Sequence, residues 1–585
     1  MMKKFTLILA VSTIAFTGVT ACKKVDNVEN SMTVDTSNIW GKYVDGFLTG
    51  YFKVNPTFAV NQGKHEFDGQ LPNWSPEGLK AQIDFRKKAI SDAKALDDSK
   101  LTDEQKFERD YLISVMDAEL FWMEEADQPH NNPAFYINTL DPDVYISREY
   151  ANKETRMKAF IKYLDNIPAA AEQIKGNLKL PLPATFLKLG VAGFDGFAAY
   201  YGGDAKAAFA DVKNDELQKI FDASVAKASA AMTSLSLHIQ SKPATADGYA
   251  LGGQKFSNML LRTEGVGIPL DELEAVGRAD LKRNQDALKA ACAKFAPLAS
   301  LADCMAKMAA NKPEKGPVQE ARDQLPPLRE FLIKNDLVTI PGTEQALVEE
   351  SPPYNRQNSA YIIIPGPYET GLPSTYYISP PDPSWDAETR AAFIPGKKDL
   401  LGTSVHEIWP GHFLQFLHSN RSKSIIGKLF VGYAFAEGWA HYGEEMMVEA
   451  GLNGENGVAD PETHVGQLTN ALLRNCRYLS AIGLHARGLS VTQSQELFKN
   501  ECYQDAGTAM QQAARGTYDP AYLNYTLGKL MIRKLRADWT AKQNGGAQGQ
   551  KNWKAFHDEF LSYGGPPIPM VRKAMMKEES AKAVF

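Results

Sequence analysis

Through most of this chain apolar residues recur every three or four positions, the spacing that lays one apolar stripe along a helix. The clearest cases are Pro76 to Leu96, Thr102 to Glu125, Thr155 to Leu178, Asp204 to Ser241 and Leu270 to Phe295, all rich in Ala, Leu, Lys and Glu. Ser75-Pro76-Glu77 and Thr102-Asp103-Glu104 read as helix starts, a capping side chain ahead of an acidic first turn. A proline-interrupted stretch from Lys312 to Pro327 predicts a separation between an N-terminal and a C-terminal half. The exception to helix is a pair of β-branched and aromatic runs, Ala360 to Pro365 and Ser374 to Ser379, with Gly- and Pro-containing turns between them. They predict a small sheet or hairpin. It is either an ordinary core hairpin or an edge strand that takes up an extended peptide through backbone hydrogen bonds.

The N-terminus departs from this pattern. Lys3 and Lys4 precede an apolar run, Phe5 to Val19, too short for a comfortable span, and Val19-Thr20-Ala21-Cys22 puts small residues before a cysteine. Residues 1–21 therefore read as a signal peptide. The Cys22 context resembles the lipobox of bacterial lipoproteins, which implies a lipid on Cys22 anchoring the protein to a membrane; a plain secretory signal is the alternative. Lys23 at the next position fits outer-membrane sorting in a Gram-negative envelope, facing the periplasm, and residues 22–38 read as a flexible tether. No apolar 18-mer follows, so no internal span is expected. The 585 residues can bury a large core, and length alone would allow two to four domains. A formal charge of −6, with acidic and basic residues interspersed, leaves no nucleic-acid footprint. Besides Cys22 the chain has Cys292, Cys304, Cys476 and Cys502. An even number in an oxidising compartment permits two disulfides, and the local pairings Cys292–Cys304 and Cys476–Cys502 are the expectation among three connectivities.

The chemistry concentrates in His406-Glu407-Ile408-Trp409-Pro410-Gly411-His412. In the common zinc-peptidase pattern two histidines stand four apart on one helix face. Here they are six apart, which on a straight helix leaves them about 120° out of line. Pro410 and Gly411 supply the means to bend: proline breaks the hydrogen-bond ladder and glycine tolerates unusual dihedrals. A kink or wide turn that swings His412 back toward His406 is predicted; the alternative is a helix that ends at Trp409, with His412 beginning the next element by chance. A third ligand is on offer in Glu437, His441 and Glu444, which fall at i, i+4 and i+7 of a second helical pattern. One of them could complete a three-ligand zinc site, and another could orient a ligating histidine.

His-Glu-x-x-Pro-Gly-His followed by Glu-Gly-Trp-Ala-x-Tyr-x-Glu resembles the bacterial domain-of-unknown-function 885 family, regarded as zinc metallopeptidases. The resemblance runs from about Phe47 to Lys573 and takes in Arg515-Gly516-Thr517-Tyr518-Asp519-Pro520-Ala521-Tyr522-Leu523-Asn524-Tyr525-Thr526-Leu527-Gly528-Lys529. It implies a mainly α, zincin-like multi-helix fold with a deep cleft and a small β-sheet beside the active-site helix. It implies Zn²⁺ held by His406, His412 and Glu437, with Glu444 behind them. On this reading residues 39–585 form one large catalytic domain, with a mostly helical lobe at 39–311 and the metal-site lobe at 312–585.

Zinc lowers the pKa of a bound water and polarises a carbonyl. Glu407 is the general-base candidate, and His485, Tyr522 and Tyr525 are the candidates for stabilising the oxyanion, a role that similar zincins give to a Tyr or His on a later helix. Arg536 could meet a substrate carboxylate or form an internal ion pair. Asn61 to Asp68, similar to a Gly-x-His-x-x-Asp stretch of the family, could line the far wall of the cleft or be surface-turn chemistry. The expected function is hydrolysis of peptides at the cell envelope. The alternatives are a zinc hydrolase of another amide or ester, related to the cell wall, and a non-catalytic peptide-binding lipoprotein.

Overall fold

A computed structural model of the chain describes residues 34–543 and 553–578, except 353–355, 357, 358, 370, 384 and 385, together with residues 32 and 585. The signal peptide, Cys22 and most of the expected tether lie outside the described residues. The architecture is predominantly helical, with one small sheet. Local capping explains where helices begin. Ser75 accepts from Gly78 N–H at the start of Pro76–Lys94, and Thr102 and Gln105 form a capping box ahead of Asp103–Leu120.

Two expected helices are interrupted. The α-helix Asp103–Leu120 widens to a π-turn over Phe121–Glu125. The run from Asp204 breaks after Ala208 and restarts at Asp215, where Asn214 caps the first turn. The expected separator is itself mostly helix: Pro317–Lys334 continues through Pro326 and Pro327. Gly316 opens it, and Leu325, Leu328 and Leu332 are buried along one side, so packing overrides the proline penalty. The chain therefore does not divide at 312. One hydrophobic cluster gathers residues between Val60 and Ile239. A larger one gathers Phe121 and residues between Phe256 and Met575, which places helix Leu270–Phe295 with the metal-motif half. Residues Val34–Phe585 form one compact unit.

The sheet has three strands rather than a lone hairpin. β1 (Leu347–Glu350) and β2 (Ala360–Ile363) flank β3 (Thr375–Ile378), parallel and antiparallel respectively. Ala360 faces Ile378 across the antiparallel pair. Tyr376 and Ile378 of β3 are buried. β1, with the sequence Leu-Val-Glu-Glu and only Val348 buried, carries almost no pattern of its own.

Five helices carry the residues of interest: the motif helix Lys397–Glu407, the short helix His412–Ser419, the ligand helix Tyr433–Glu449, the arginine helix Pro461–Ala486 and the tyrosine helix Asn524–Gln543. The ligand and tyrosine helices cross in near backbone contact at Gly438 and Gly528; a Cβ on Gly528 would stand 2.1 Å from the Ala434 carbonyl oxygen. A buried charge network ties the same helices together. Lys529 Nζ lies 2.8 Å from Asp280 Oδ2 and 3.5 Å from Glu445 Oε2, and Arg283 bridges the same two carboxylates. Each charge in it has an opposite partner, the condition under which buried ions are tolerated. The disulfides Cys292–Cys304 and Cys476–Cys502 join neighbouring helical segments in the expected local pairing. Among the described residues no helix is long and apolar enough to cross a membrane.

Candidate metal centre

The motif helix ends at Glu407, and His412 is the first residue of the next helix. The insertion is the turn rather than the kink of the expected pair: one helix ends, the chain doubles back through 408–411, and the His412 ring comes within 4.8 Å of that of His406. Ile408 N–H bonds to Ser404 O, and Gly411 N–H reaches back to Val405 O at 2.9 Å. Position 411 has no room for a side chain: a Cβ there would lie 1.6 Å from the His406 carbonyl oxygen. The Pro410 carbonyl accepts a hydrogen bond from Trp439 Nε1 at 2.7 Å, and Gly443 leaves space for the Pro410 ring. The ligand helix thus fixes the reversal as well as supplying Glu437.

The result is a convergence of His406, His412 and Glu437, whose candidate ligand atoms lie within 4.8 Å of one another. Both His406 Nε2 and His412 Nε2 approach Glu437 Oε2, at 3.3 and 3.4 Å. The imidazole rings stand nearly perpendicular, at 85°. With zinc–nitrogen and zinc–oxygen bonds of about 2.0–2.2 Å, the edges of a tetrahedron come to about 3.3–3.5 Å, which the two edges that meet at Glu437 match, the three atoms together lying within 4.8 Å. Glu437 Oε2 is buried without a well-formed hydrogen bond, as suits an atom whose partner is a cation.

The tautomer of His406 is set from behind. Its Nδ1 lies 2.7 Å from Glu444 Oε1 and so carries a proton, which makes Nε2, facing Glu437, the nitrogen that would take a metal. Arg474 Nη2 holds the same Glu444 oxygen at 3.1 Å. Burial and Arg474 disfavour charge on His406, yet the Glu437 and Glu444 carboxylates outweigh them and raise its pKa to about 9. The pocket is built around positive charge. Glu437 is held well below the usual carboxylate range: His412 and His406 overcome its burial. Glu407 goes the other way, its pKa raised by burial against the pull of His412 and His406. His441 is turned to the other face of Glu444, Nδ1 to Oε2 at 3.4 Å, and burial and Lys529 push its pKa down to about 3.

Of the oxyanion candidates, only Tyr525 comes to this centre. Its ring stacks 6.4 Å from that of His406. His485 does not belong to the site. Its Nε2–H donates to Gly516 O at 2.7 Å and its Nδ1 accepts from Leu251 N–H at 3.3 Å, so both nitrogens are committed to backbone. Buried and stacked on Phe256, it is a neutral core histidine. Tyr522 is fully buried with its hydroxyl against Gly516, beside the carbonyl that His485 holds. Arg536 is paired with Glu449 and Tyr442. In the Asn61–Asp68 stretch, His65 contacts Asp68 and Glu369 and stacks on Tyr150, joining this segment to the turn between β2 and β3.

Sequence reasoning missed Tyr433, Arg474, Arg477 and Arg515, which surround Tyr525. Its ring centre lies 5.8 Å from that of Tyr433, and 5.6, 4.8 and 5.9 Å from the guanidinium carbons of Arg474, Arg477 and Arg515. The available signal was Arg474 and Arg477 standing inside the apolar stretch of a helix.

Residues 56–575 match the family described as "Bacterial protein of unknown function (DUF885)", and the chain belongs to that family. A solved structure described as a candidate lipoprotein of unknown function from Shewanella oneidensis is similar, with a TM-score of 0.75 and 22% identity, covering 92% of this chain and 99% of the other. A candidate lipoprotein from Colwellia psychrerythraea has the same TM-score and coverage at 16% identity. At these identities the likeness establishes the fold alone. No curated protein matches the chain.

Proposed function

We propose that this member of the DUF885 family is a zinc-dependent metallopeptidase with a zincin-like fold, hydrolysing peptides at the envelope of a Gram-negative bacterium. The observation that carries the reading is the convergence of two Nε2 atoms and Glu437 Oε2 with Glu407 next to them in sequence. A purely structural zinc takes a fourth protein ligand, whereas three ligands and a neighbouring carboxylate leave a position for water. Both solved relatives are described as candidate lipoproteins, which agrees with a lipid anchor through Cys22; the outer membrane is proposed from Lys23 at the next position.

His406, His412 and Glu437 would hold the metal, which would supply Lewis acidity and an acidified water. Glu407 takes the proton of the attacking water and passes it to the leaving amine; its raised pKa brings it nearer to the working pH. Tyr525, ringed by arginines, donates a hydrogen bond to the developing oxyanion. The outer edge of β2 would hold the peptide backbone.

The test is metal analysis together with digestion of a mixed peptide library by wild type and Glu407→Gln. Stoichiometric zinc is expected in both, with cleavage lost by about 10²–10⁴-fold in the variant. A zinc-loaded wild type that cleaves nothing the variant spares sinks the peptidase reading.

A further inference from the structure

Three guanidiniums gather around Tyr525, and two of them are balanced. Arg474 faces Glu444 at 3.1 Å, and Arg515 lies 2.9 Å from Asp519 and 3.0 Å from the Tyr433 hydroxyl. Arg477 is different. It is 9% exposed, and among the described residues its one hydrogen bond runs from Nε to Gln512 Oε1, at 2.7 Å. No described carboxylate pairs with it. Burial, with Arg515 close by, holds its pKa below the ordinary arginine value. A buried charge without a partner is strongly unfavourable, so a guanidinium kept in this state is suited to an anion that arrives from outside.

The position says which anion. Arg477 Cζ lies 4.8 Å from the Tyr525 ring centre, and that ring lies 6.4 Å from His406. An extended peptide covers such a path in about three residues or fewer, at roughly 3.5 Å each. Of the three arginines Arg515 lines a cavity of about 630 Å³, together with Tyr433 and Asp519 and with Phe58, Trp122 and Phe135 on its walls, room for a substrate side chain.

We propose that Arg477, with Arg515 beside it, binds a carboxylate of the substrate and restricts the site to peptides carrying one within about three residues of the scissile bond. The inference rests on the peptidase reading. The planar guanidinium suits a carboxylate of either source, the free C-terminus or an Asp or Glu side chain.

Calorimetry on zinc-loaded Glu407→Gln protein separates the sources and needs no turnover. The probes are N-acetyl-Ala-Ala as the free acid, its C-terminal amide, and N-acetyl-Ala-Asp amide. The free acid is expected to bind about tenfold to a hundredfold more tightly than the Ala-Ala amide, the range for a hydrogen bond to a charged group. That preference should vanish with Arg477→Gln and be partly restored with Arg477→Lys. An Asp amide that binds as the acid does, in an Arg477-dependent way, assigns the site to acidic side chains. Equal binding of all three probes, binding of none, or a preference that survives Arg477→Gln overturns the proposal. Should Arg477→Gln not fold, the acid-against-amide preference is compared between the Arg477 protein and Arg477→Lys: a weakened preference supports the proposal and an unchanged one overturns it. If the peptide library is left uncleaved while the Arg477-dependent preference persists, the peptidase reading falls and the carboxylate site stands. If peptides are cleaved without regard to carboxylates, the reverse holds.

Discussion

Glu444 touches no substrate in the proposed reaction, yet it decides which nitrogen of His406 is free. Its Oε1 accepts a hydrogen bond from Nδ1–H at 2.7 Å while Arg474 holds the carboxylate in place. Replacing it with Gln keeps the size but weakens that acceptor, and zinc affinity measured by competition with a chelator is expected to fall about 10–100-fold. Unchanged affinity would mean that His406 is oriented by packing alone. His485 calls for a different prediction, because its role is structural. Burial pushes its pKa down to about 4, below the ordinary 6.5. Between those two values the unfolded chain binds a proton that the folded chain does not. Stability is therefore fully present above about pH 6.5 and falls as pH drops toward about 4, by up to about 1.4 kcal/mol per pH unit from this residue. Urea unfolding at several pH values should show that slope, and His485→Gln should flatten it by about this amount. A slope unchanged in the variant would remove His485 from the acid sensitivity.

At the scale of elements, the reversal at 408–411 sets the distance between the two histidines. Because a Cβ on Gly411 would stand 1.6 Å from the His406 carbonyl oxygen and 2.2 Å from its carbon, Gly411→Ala must move the backbone of a ligand. The variant should keep its helical circular dichroism and lose zinc affinity by at least about tenfold, as a ligand displaced from a tetrahedral position implies. Wild-type affinity would show that the reversal has slack. The sequence displayed this much of the site because the chemistry is local: the two histidines, the Pro-Gly insertion and the Glu437–Glu444 face each show within a few residues. Which of the kink, the turn and the helix break would hold was not legible, since it depends on Trp439 holding the Pro410 carbonyl from a distant helix. β1 was invisible for the same reason, its pairing with β3 being set by neighbours rather than by its own Leu-Val-Glu-Glu. Pro317–Lys334 misled because prolines argue against helix locally while Leu325, Leu328 and Leu332 are buried against the core. The candidacies of His485 and Tyr522 rested on the role that similar zincins give a Tyr or His on a later helix, and only packing shows both turned to Gly516.

Across the whole molecule, the candidate metal ligands draw on only one of the two hydrophobic clusters. His406, His412 and Glu437 stand on helices whose buried residues belong to the larger cluster, as do those of the arginine and tyrosine helices behind them. The cluster between Val60 and Ile239, built largely on Lys153–Asn177, Ala184–Gly202 and Asp215–Ile239, contributes none. A ligand that binds only the folded state stabilises it by about 4.1 kcal/mol at a thousandfold excess over Kd, and that gain is felt by the segments whose opening releases the ligand. Removing zinc with a chelator should therefore lower hydrogen-exchange protection in the motif, ligand and arginine helices and leave those three N-terminal helices unchanged. Equal loss in both sets would mean that the clusters open as one cooperative unit. No loss in either would mean that the contacts of Trp439, Glu444 and Arg474 hold these helices without the metal.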